Sequence, residues 1–484
     1  MKKTAAKRKI AMIASESNPL VKTGGLADVV FSLSKALRAQ GEDVRIVIPF
    51  YPQVWGKLPE APKQVARVEV RMNWRNNAAN IFLAKLGGVP FYLIQNQQYF
   101  ERDAVYGYDD DGERFAFFAQ AALKALEAVG FAPDIVHVHD WQVAMVPCLL
   151  KAGHLDFFAS TKTVLTIHNP AFKGMMDPDA LYDLFNLPLS LYENGSVRLD
   201  GRFSTLKAGI AYADKITTVS PTHRNELLTQ DGGWGLDGVL RYRQDDFCGF
   251  LNGIDYDEWN PKKDSKIPMP YDADSFAKGK EEAKRALFAK TYLRDHGGPT
   301  FGLVSRLTFQ KGVDLVRDIM PKLLEQGAHF LCLGSGERML EQDMENLRSR
   351  YPSQVALYIG YNDLRAHEIY AASDFFLMPS SFEPCGISQL IAQRYGSLPI
   401  VRYTGGLRDT VEGYVGWNQG TATGIGFESY DYYGIDWATS MAMGVYRNKP
   451  AFEQMVRNAM NKDNSWDHSA SLYRGLYETL APLR

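Results

Sequence analysis

Cysteine is scarce in this sequence of 484 residues, which has four: Cys148, Cys248, Cys332 and Cys385. They stand far apart and form no C-x-x-C pair, so we expect neither a disulfide framework nor a structural zinc site. No run approaches the roughly 18 apolar residues of a membrane span. The basic Met1–Lys9 is followed by an apolar stretch too short for a signal-peptide core of about 7–15 residues. These features predict reduced thiols and a cytoplasmic protein.

An excess of charge of either sign is also missing. Lys plus Arg number 54 and Asp plus Glu number 56, which gives a formal net charge of -2. This balance provides no electrostatic footprint for nucleic acid or an anionic membrane, so we expect neither as a partner. The hydrophobic fraction of 45% is too high for a disordered chain. The length predicts two large domains or about three ordinary ones.

Several standard catalytic motifs are absent as well. The loop KTGGL at 22–26 matches neither G-x-G-x-x-G nor the P-loop, because its lysine precedes the glycine pair. This disfavours a dehydrogenase and a P-loop NTPase. No G-x-S-x-G occurs, and no histidine lies close in sequence to Cys385, so serine and cysteine nucleophiles are also disfavoured.

Alternating strand and helix patterns are present instead. Lys9–Ser15 and Val44–Pro49 have the composition of buried strands. Between them, apolar residues repeat at i, i+4, i+7 and i+11, which predicts one face of a helix: Leu26, Val30, Leu33 and Leu37. This βαβ unit predicts an α/β fold with a doubly wound parallel sheet. A second series of the same kind begins near Thr300.

The segment 256–299 is rich in Pro, Lys, Asp and Gly, and it predicts a boundary near residue 255 between two Rossmann-like halves. A short echo links the halves: TGGLAD at 23–28 recurs as TGGLRD at 404–409. Common ancestry and coincidence both remain open. In either case, a Gly-rich turn that opens a helix favours an anion, because free N–H groups and the positive end of the dipole meet there.

Two cations leave the first strand of the second series together. Arg306 and Lys311 lie in VSRLTFQKG at 304–312, five residues apart. A planar guanidinium and a compact ammonium together suit a diphosphate. The alternative is a solvated basic loop.

A carboxylate follows a later strand of this series. Glu383 stands in PSSFEPCG at 379–386, a Pro-stiffened loop that precedes a helix start. Such a loop suits a backbone packed tightly around a ligand. The alternative is an ordinary neighbour of a helix N-terminus, stabilised by the dipole.

Polar residues also end the strands of the first half, and we expect no metal among them. Asp140, His168 and Asn252 belong to this set. The H-x-H of His137 and His139 has metal-like spacing, but no third ligand is near in sequence, and hydrogen-bonded structural histidines are the favoured interpretation. The D-x-D within Asp109–Asp111 is interpreted as a solvated acidic loop.

Taken in order, the motifs resemble those of the bacterial glycogen synthase and plant starch synthase family, retaining glycosyltransferases of the GT-B fold. The resemblance spans essentially the whole chain and is carried by KTGGLADVV (22–30), HVHDWQ (137–142), TIHNPAFKG (166–174), LNGIDYDEWNP (251–261), VSRLTFQKG (304–312), SSFEPCGISQL (380–390) and YTGGLRDTV (403–411). It departs at Pro170 and Lys173, where the family more often has an aliphatic residue and Gln.

The resemblance implies two Rossmann-like domains that face each other across a cleft. The N-terminal, acceptor-side domain would span 1–255 and be completed by a C-terminal helix at 457–484. The donor-binding domain would span 256–456. The implied reaction transfers glucose from a nucleotide sugar, usually ADP-glucose, to the non-reducing end of an α-1,4-glucan. It retains the anomeric configuration, releases ADP and serves glycogen biosynthesis.

The resemblance also implies roles for individual residues. The catalytic residues would be Glu383, His168, Arg306 and Lys311. The donor would contact Lys22, Gly24, Gly25, Asp28, Asp140, Asn252, Arg306, Lys311, Tyr361, Cys385, Gly386, Thr404, Gly405 and Gly406. Candidates for sugar stacking are Tyr99, Phe100 and Trp141. No cofactor is expected, because the nucleotide sugar is a substrate.

Retaining glycosidases use two carboxylates, one of them as the nucleophile. Many GT-B enzymes have a second Glu eight residues after the position of Glu383, where this chain has Ile391. This favours front-face transfer, in which the leaving phosphate accepts the acceptor's proton. Two alternatives remain: a GT-B transferase with another donor or a small acceptor, such as a sucrose synthase relative, and a catalytically silent glucan-binding protein. The choice between ADP- and UDP-glucose, and the oligomeric state, also stay open.

Overall fold

Two largely parallel β-sheets, one in each half of the chain, organise this computed structural model, which describes residues 7–153 and 155–483. By their contacts, the described residues of Met1–Asn252 and Trp466–Arg484 form a first unit, and Gly253–Ser465 form a second unit. Each sheet alternates with helices along the chain, so the predicted pair of Rossmann-like halves is confirmed.

The bounds of the units differ from the predicted ones. The first unit ends after Asn252 rather than near 255, and the chain returns to it at Trp466 rather than at 457. The helix Lys449–Asn461 explains the later return, because its apolar side is buried in the core of the second unit. Residues 1–6, His154 and Arg484, which the predicted spans included, lie outside the described residues.

The strands of the first unit form one large sheet and one small one. Their bounds are β1 (Lys9–Ile13), β2 (Asp43–Pro49), β3 (Lys63–Met72), β4 (Arg75–Leu86), β5 (Val89–Gln95), β6 (Ile135–His139), β7 (Lys162–Ile167), β8 (Met175–Met176), β9 (Arg198–Leu199), β10 (Arg202–Ser204), β11 (Lys215–Thr218) and β12 (Phe247–Gly249). The nine-stranded sheet has the order β12-β11-β7-β6-β1-β2-β5-β4-β3. Its last two strands run antiparallel to their neighbours, and the other pairs are parallel. The small antiparallel sheet has the order β8-β10-β9.

The helices of the first unit alternate with its strands along the chain. Their bounds are α1 (Gly25–Ala39), α2 (Gln97–Phe100), α3 (Asp111–Ala128), α4 (Val146–Ala152), α5 (Ala180–Phe185), α6 (Ser190–Glu193), α7 (Thr205–Tyr212), α8 (Pro221–Leu227) and α9 (Asp237–Tyr242), with 3₁₀ turns at Pro52–Lys57, Asp156–Phe158 and Gln244–Asp246. The four apolar residues that predicted α1 are all buried, as expected for an amphipathic helix on a sheet.

The second unit holds a single six-stranded parallel sheet. Its strands are β13 (Thr300–Val304), β14 (His329–Gly334), β15 (Val355–Ile359), β16 (Phe375–Met378), β17 (Leu398–Arg402) and β18 (Ile425–Phe427). The order β15-β14-β13-β16-β17-β18 is the 3-2-1-4-5-6 order of dinucleotide-binding folds. The helices are α10 (Phe276–Thr291), α11 (Val313–Glu325), α12 (Arg338–Arg350), α13 (Asp363–Ala372), α14 (Ser388–Arg394), α15 (Gly405–Thr410), α16 (Tyr432–Arg447) and α17 (Lys449–Asn461), with a 3₁₀ turn at Phe309–Lys311.

A final helix, α18 (Trp466–Leu480), returns to the first unit. It buries Trp466, Tyr473 and Tyr477 in that unit's core. The buried Arg8 pairs with Glu42 at 3.0 Å. The described residues include no helix that is both long and apolar enough to cross a bilayer. The predicted cytoplasmic location stays a prediction.

The strand order sets the ligand edge of each unit. In the first sheet, β1 lies between β2 and β6, and in the second, β13 lies between β14 and β16. Connections leave such a central strand in opposite directions, and ligands bind where the carboxyl-end loops part. The loops after β1 and β6 therefore border the candidate site of the first unit, and those after β13 and β16 border that of the second.

Candidate active site

The loop after β1 carries the predicted Lys22 and is held by two carboxylates. Glu16 is buried and accepts a hydrogen bond from the backbone N–H of Thr23 at 2.5 Å. Asp28 lies on the first turn of α1, 2.9 Å from the Lys22 ammonium, and accepts a hydrogen bond from the Asn18 amide at 3.0 Å. The lysine and its loop are therefore fixed against the start of α1.

The start of α1 is suited to an anion. Gly25 is its first residue, and Gly24 occupies the N-cap with an extended backbone. Glycine has no side chain with which to cap the first-turn N–H groups, so these groups remain for a ligand or solvent. The structure thus brings Lys22, Gly24, Gly25 and Asp28 together at the predicted edge of the sheet.

The loop after β6 joins the predicted Asp140 and His168. Asp140 has a left-handed φ of 59° and accepts hydrogen bonds from the backbone N–H groups of His168 at 2.6 Å and Asn169 at 3.3 Å. The ends of β6 and β7 are therefore tied by one carboxylate. Asn252, in the same unit, is also buried, and its amide oxygen has no hydrogen-bond partner within the described residues.

Burial shifts the protonation of these acids. It raises the pKa of Glu16 from 4.5 to about 7, against the hydrogen bonds from Thr23. Burial likewise raises the pKa of Asp140 from 3.8 to about 7, although the hydrogen bonds that Asp140 accepts from two backbone N–H groups oppose the shift. The pKa of Asp28 is raised by burial too, and the Lys22 ammonium opposes the shift. Two carboxyl groups of this edge therefore titrate near neutrality.

Three histidines of the first unit, His137, His139 and His168, are hydrogen-bonded to other side chains. The Nδ1 atom of His137 lies 2.7 Å from the Tyr477 hydroxyl, and its Nε2 lies 2.6 Å from the Thr166 hydroxyl. The Nδ1 atom of His139 lies 3.0 Å from Nε2 of His168. Both nitrogens of His137 are therefore engaged by hydroxyl groups, and one nitrogen of His139 is engaged by His168.

The acidic turn at Asp109–Asp111 is exposed at Asp109, as predicted, but its other two carboxylates pair with arginines. Arg102 binds Asp110 in a bidentate pair, both contacts at 2.5 Å. Asp111 begins α3 and pairs with Arg114 at 2.8 Å. This turn is therefore held by ion pairs to arginine.

Two of the three predicted stacking aromatics are in the wrong environment for that role. Tyr99 and Phe100 are fully buried in the core of the first unit, so neither ring offers a face to a sugar. Both side chains pack among the apolar residues of this core. Trp141 is partly buried and packs edge-on against Phe115, with ring centroids 5.4 Å apart. Only Trp141 remains a candidate.

In the second unit, the cationic loop after β13 meets the carboxylate loop after β16. The Lys311 ammonium lies 2.5 Å from Glu383, which also accepts a hydrogen bond from the Ser380 hydroxyl at 3.2 Å. Glu383 is 8% exposed. Helix α14 begins five residues later, so the carboxylate is engaged with lysine rather than acting as a neighbour of the helix start.

Gln310 connects the two loops. Its side chain accepts from the Arg306 guanidinium at 3.4 Å and donates to the Phe382 carbonyl at 3.1 Å. Its backbone carbonyl accepts from the N–H of Ser381 at 2.9 Å. Arg306 is exposed at this edge. Gln310 thus holds Arg306 beside the carboxylate loop, whereas Lys311 is held by Glu383.

The second TGGL loop is packed against the backbone of the carboxylate loop. At Gly405, whose φ is +43°, an added Cβ would lie 2.1 Å from the Glu383 carbonyl oxygen. At Gly406 it would lie 2.3 Å from the carbonyl oxygen of Cys385. Only glycine permits this approach. Thr404 is the N-cap residue of α15, so this loop, like Gly24–Gly25, opens a helix.

The remaining predicted donor contacts lie at or near this edge. Gly386 has a φ of +75°, and the adjacent Cys385 is buried. Gln389 donates to the carbonyl oxygens of both residues, at 3.0 and 3.1 Å, which fixes the turn. Tyr361 follows β15 and is 82% exposed.

Two further residues of the first unit were missed. Glu16 carries no motif of its own, and only its burial and its bond to Thr23 single it out. Tyr106 lines a cavity of about 360 Å³ together with Lys22 and Thr23, and its hydroxyl lies 2.7 Å from that of Ser15.

One set of side chains among the described residues has metal-ligand spacing. Glu258, Asp363 and His367, all in the second unit, have ligand atoms within 4.8 Å of one another. The Lys266 ammonium, however, lies 2.5 Å from Asp363 and 3.1 Å from Nε2 of His367. A lysine cation thus already pairs with Asp363 and contacts His367 where a metal ion would bind.

Comparisons with known proteins agree with this geometry. Residues 9–242 match the family model of the starch synthase catalytic domain, and residues 298–424 match that of glycosyl transferases group 1. The glycogen synthase of Clostridioides difficile (strain 630) is 41% identical, over 98% of this chain and 99% of that protein. The glycogen synthase of Clostridium kluyveri is 43% identical, over 98% of this chain and 100% of that protein.

Solved structures are similar over the same length. The catalytic domain of starch synthase IV from Arabidopsis thaliana, bound to ADP and acarbose, superposes with a TM-score of 0.91 and 34% identity, covering 98% of this chain and all of that one. Sucrose-phosphate synthase from Thermosynechococcus elongatus has a TM-score of 0.64 at 16% identity, over 98% and 99% of the two chains, and shows the fold alone.

The two Rossmann-like units, each with a cationic and glycine-rich ligand edge, are those of a glycosyltransferase with the GT-B fold. Two glycogen synthases are more than 40% identical to this chain over almost its whole length, which identifies the family within this class. The chain belongs to the glycogen and starch synthase family.

Proposed function

We propose that this enzyme transfers glucose from ADP-glucose to the non-reducing end of an α-1,4-glucan, with retention of configuration and release of ADP. The observation that carries the proposal is the junction of Arg306, Lys311 and Glu383 at the switch point of the second sheet. The similar starch synthase IV structure was bound to ADP and acarbose, which supports a nucleotide donor and a glucan acceptor.

Each group at this junction has a role in the proposal. As the bond between glucose and phosphate breaks, negative charge develops on the leaving diphosphate. Arg306 and Lys311 supply fixed positive charge where it appears, and the start of α15 adds N–H groups. This charge allows transfer without a metal ion. Glu383, held by Lys311 and Ser380, lies beside the donor sugar and stabilises its developing positive charge.

The first unit contributes the remaining groups. Lys22 and the start of α1 contact the donor, while His168 and Asp140 border the glucose. Trp141 is the remaining stacking candidate for the glucan. Ile391 stands where many GT-B enzymes have a second carboxylate, so the proposal uses front-face transfer, and the leaving phosphate takes the proton of the acceptor hydroxyl.

Donor competition tests the proposal. The enzyme is given glycogen with ADP-glucose and UDP-glucose together, and both released nucleotides are measured, with and without EDTA. ADP should dominate, and the rate should not change with chelator. Release of UDP alone would overturn the donor assignment, and loss of activity with EDTA would overturn the metal-free transfer.

A further inference from the structure

A row of side chains runs through the first unit from α18 to His168. The Tyr477 hydroxyl contacts Nδ1 of His137 at 2.7 Å, and the rings of His137 and His139 are stacked with centroids 4.4 Å apart. His139 then meets His168, with Nδ1 3.0 Å from Nε2. His137 and His139 are fully buried, and His168 is the partly exposed end of the row at the ligand edge.

These imidazoles are neutral. Burial lowers the pKa of His137 and of His168 to about 3, and it holds the pKa of His139 well below 6.5, with the neighbouring histidines adding repulsion. A neutral imidazole has one N–H donor and one acceptor nitrogen. The contact between His139 and His168 therefore needs the proton of one of them on the shared side.

The surroundings of His139 decide which one donates. Its Nε2 atom is buried and has no hydrogen-bond partner within the described residues. A proton there would leave a buried N–H group unbonded, which is rarer in proteins than an unfilled acceptor. The proton of His139 therefore lies on Nδ1, which donates to Nε2 of His168. It follows that His168 carries its own proton on Nδ1.

We propose that His139 is a positioning residue that fixes His168 as the Nδ1–H tautomer, so that His168 presents a hydrogen-bond donor to a sugar hydroxyl. The sugar part of this inference rests on the proposed function, whereas the tautomer does not. The same histidine is also held through its backbone, whose N–H donates to Asp140 at 2.6 Å. The ring of His168 is thus held by His139 and its main chain by Asp140.

A matched pair of variants separates hydrogen bonding from packing. His139→Asn places an amide donor close to the position of Nδ1, and His139→Leu has nearly the same shape without a donor. We expect kcat to fall by about 10- to 100-fold in His139→Leu, which is the loss typical when a residue that hydrogen-bonds to and orients a functional histidine is removed. In His139→Asn, kcat should fall by less than about threefold. KM for both substrates should change little in either variant. Equal kcat values for the two variants would overturn the positioning role.

The tautomer is measured directly on the intact enzyme. Nitrogen-15 spectra of histidine-labelled protein distinguish protonated from unprotonated ring nitrogens, and His168→Gln identifies the signals of His168. We expect Nδ1 of His168 to be protonated in the wild type and in His139→Asn. A proton on Nε2 of His168 in the wild type would contradict the inference. This readout needs no substrate and no folded leucine variant, so it remains decisive even if glucose transfer is not observed.

Discussion

At the residue scale, the site depends on a few buried charges that are held by specific partners. Glu383 is the clearest case, because a lysine and a serine both bind its carboxylate. The places of Glu383 and Lys311 after two strands predicted both as site residues. Their direct contact was not predictable, since it depends on how the loops after β13 and β16 fold together.

Replacing Glu383 by alanine should lower kcat by at least about 100-fold, because charge stabilisation at the reacting sugar is lost. Affinity for glycogen should stay within about threefold, since the carboxylate is assigned to the donor sugar. Steady-state kinetics and a glycogen-binding assay measure the two effects. The control is Glu428→Gln, an exposed carboxylate paired with Arg408 in the same unit, which should leave kcat unchanged. Comparable losses of kcat and glycogen affinity would refute the role of Glu383.

Glu16 should make stability depend on pH. The folded protein holds a proton on Glu16 up to about pH 7, whereas the unfolded chain releases it near 4.5. The folded state thus binds more protons in this window, and the free energy of unfolding falls as pH rises from about 5 to 7. The buried group accounts for a fall on the order of 2–3 kcal/mol.

Urea unfolding at a series of pH values measures this slope. Glu16→Gln keeps an oxygen that can accept from Thr23 but has no proton to lose, so its slope should be flatter than that of the wild type. Glu69→Gln, at an exposed position on β3, should reproduce the wild-type slope. A Glu16→Gln slope as steep as the wild type would contradict the raised pKa.

At the scale of elements, the periodic segments were predictable and the turns were not. Helix α1 and strand β1 followed directly from their apolar patterns. Tyr99 and Phe100 were not predictable in this way. Both are aromatic residues that could face either a sugar or the core, and only the packing of α2 shows that they face the core. The resemblance implied a return to the first unit at 457, whereas α17 packs in the core of the second unit and the chain returns at Trp466.

The packing of the second TGGL loop gives a prediction about an element. Gly405→Ala places a Cβ against the Glu383 carbonyl and strains a positive φ, so it should destabilise the second unit by about 2–3 kcal/mol and reduce kcat. Gly444→Ala, inside α16 with open space around it, should instead stabilise by about 0.5–1 kcal/mol. Thermal unfolding and kinetics of both variants provide the comparison. Equal stability of the two variants would show that Gly405 does not lie so close to the Glu383 carbonyl oxygen.

At the scale of the whole molecule, each unit places positive groups at the switch point of its own sheet. The net charge of -2 fits a neutral polysaccharide better than a polyanion, and the proposed donor site draws its positive charge from Lys22, Arg306 and Lys311. The fold class and the family were accessible from the sequence because motif order spans both units. The buried acids Glu16 and Asp140, with pKa values near 7, required the structure.

The most direct test follows the product itself. Purified enzyme is mixed with ADP-glucose and a maltooligosaccharide, and proton NMR records the new glycosidic linkage while ADP is measured. We expect one α-1,4 linkage for each ADP released, at the non-reducing end of the acceptor. A β-linked product, or no consumption of either ADP-glucose or UDP-glucose, would contradict it.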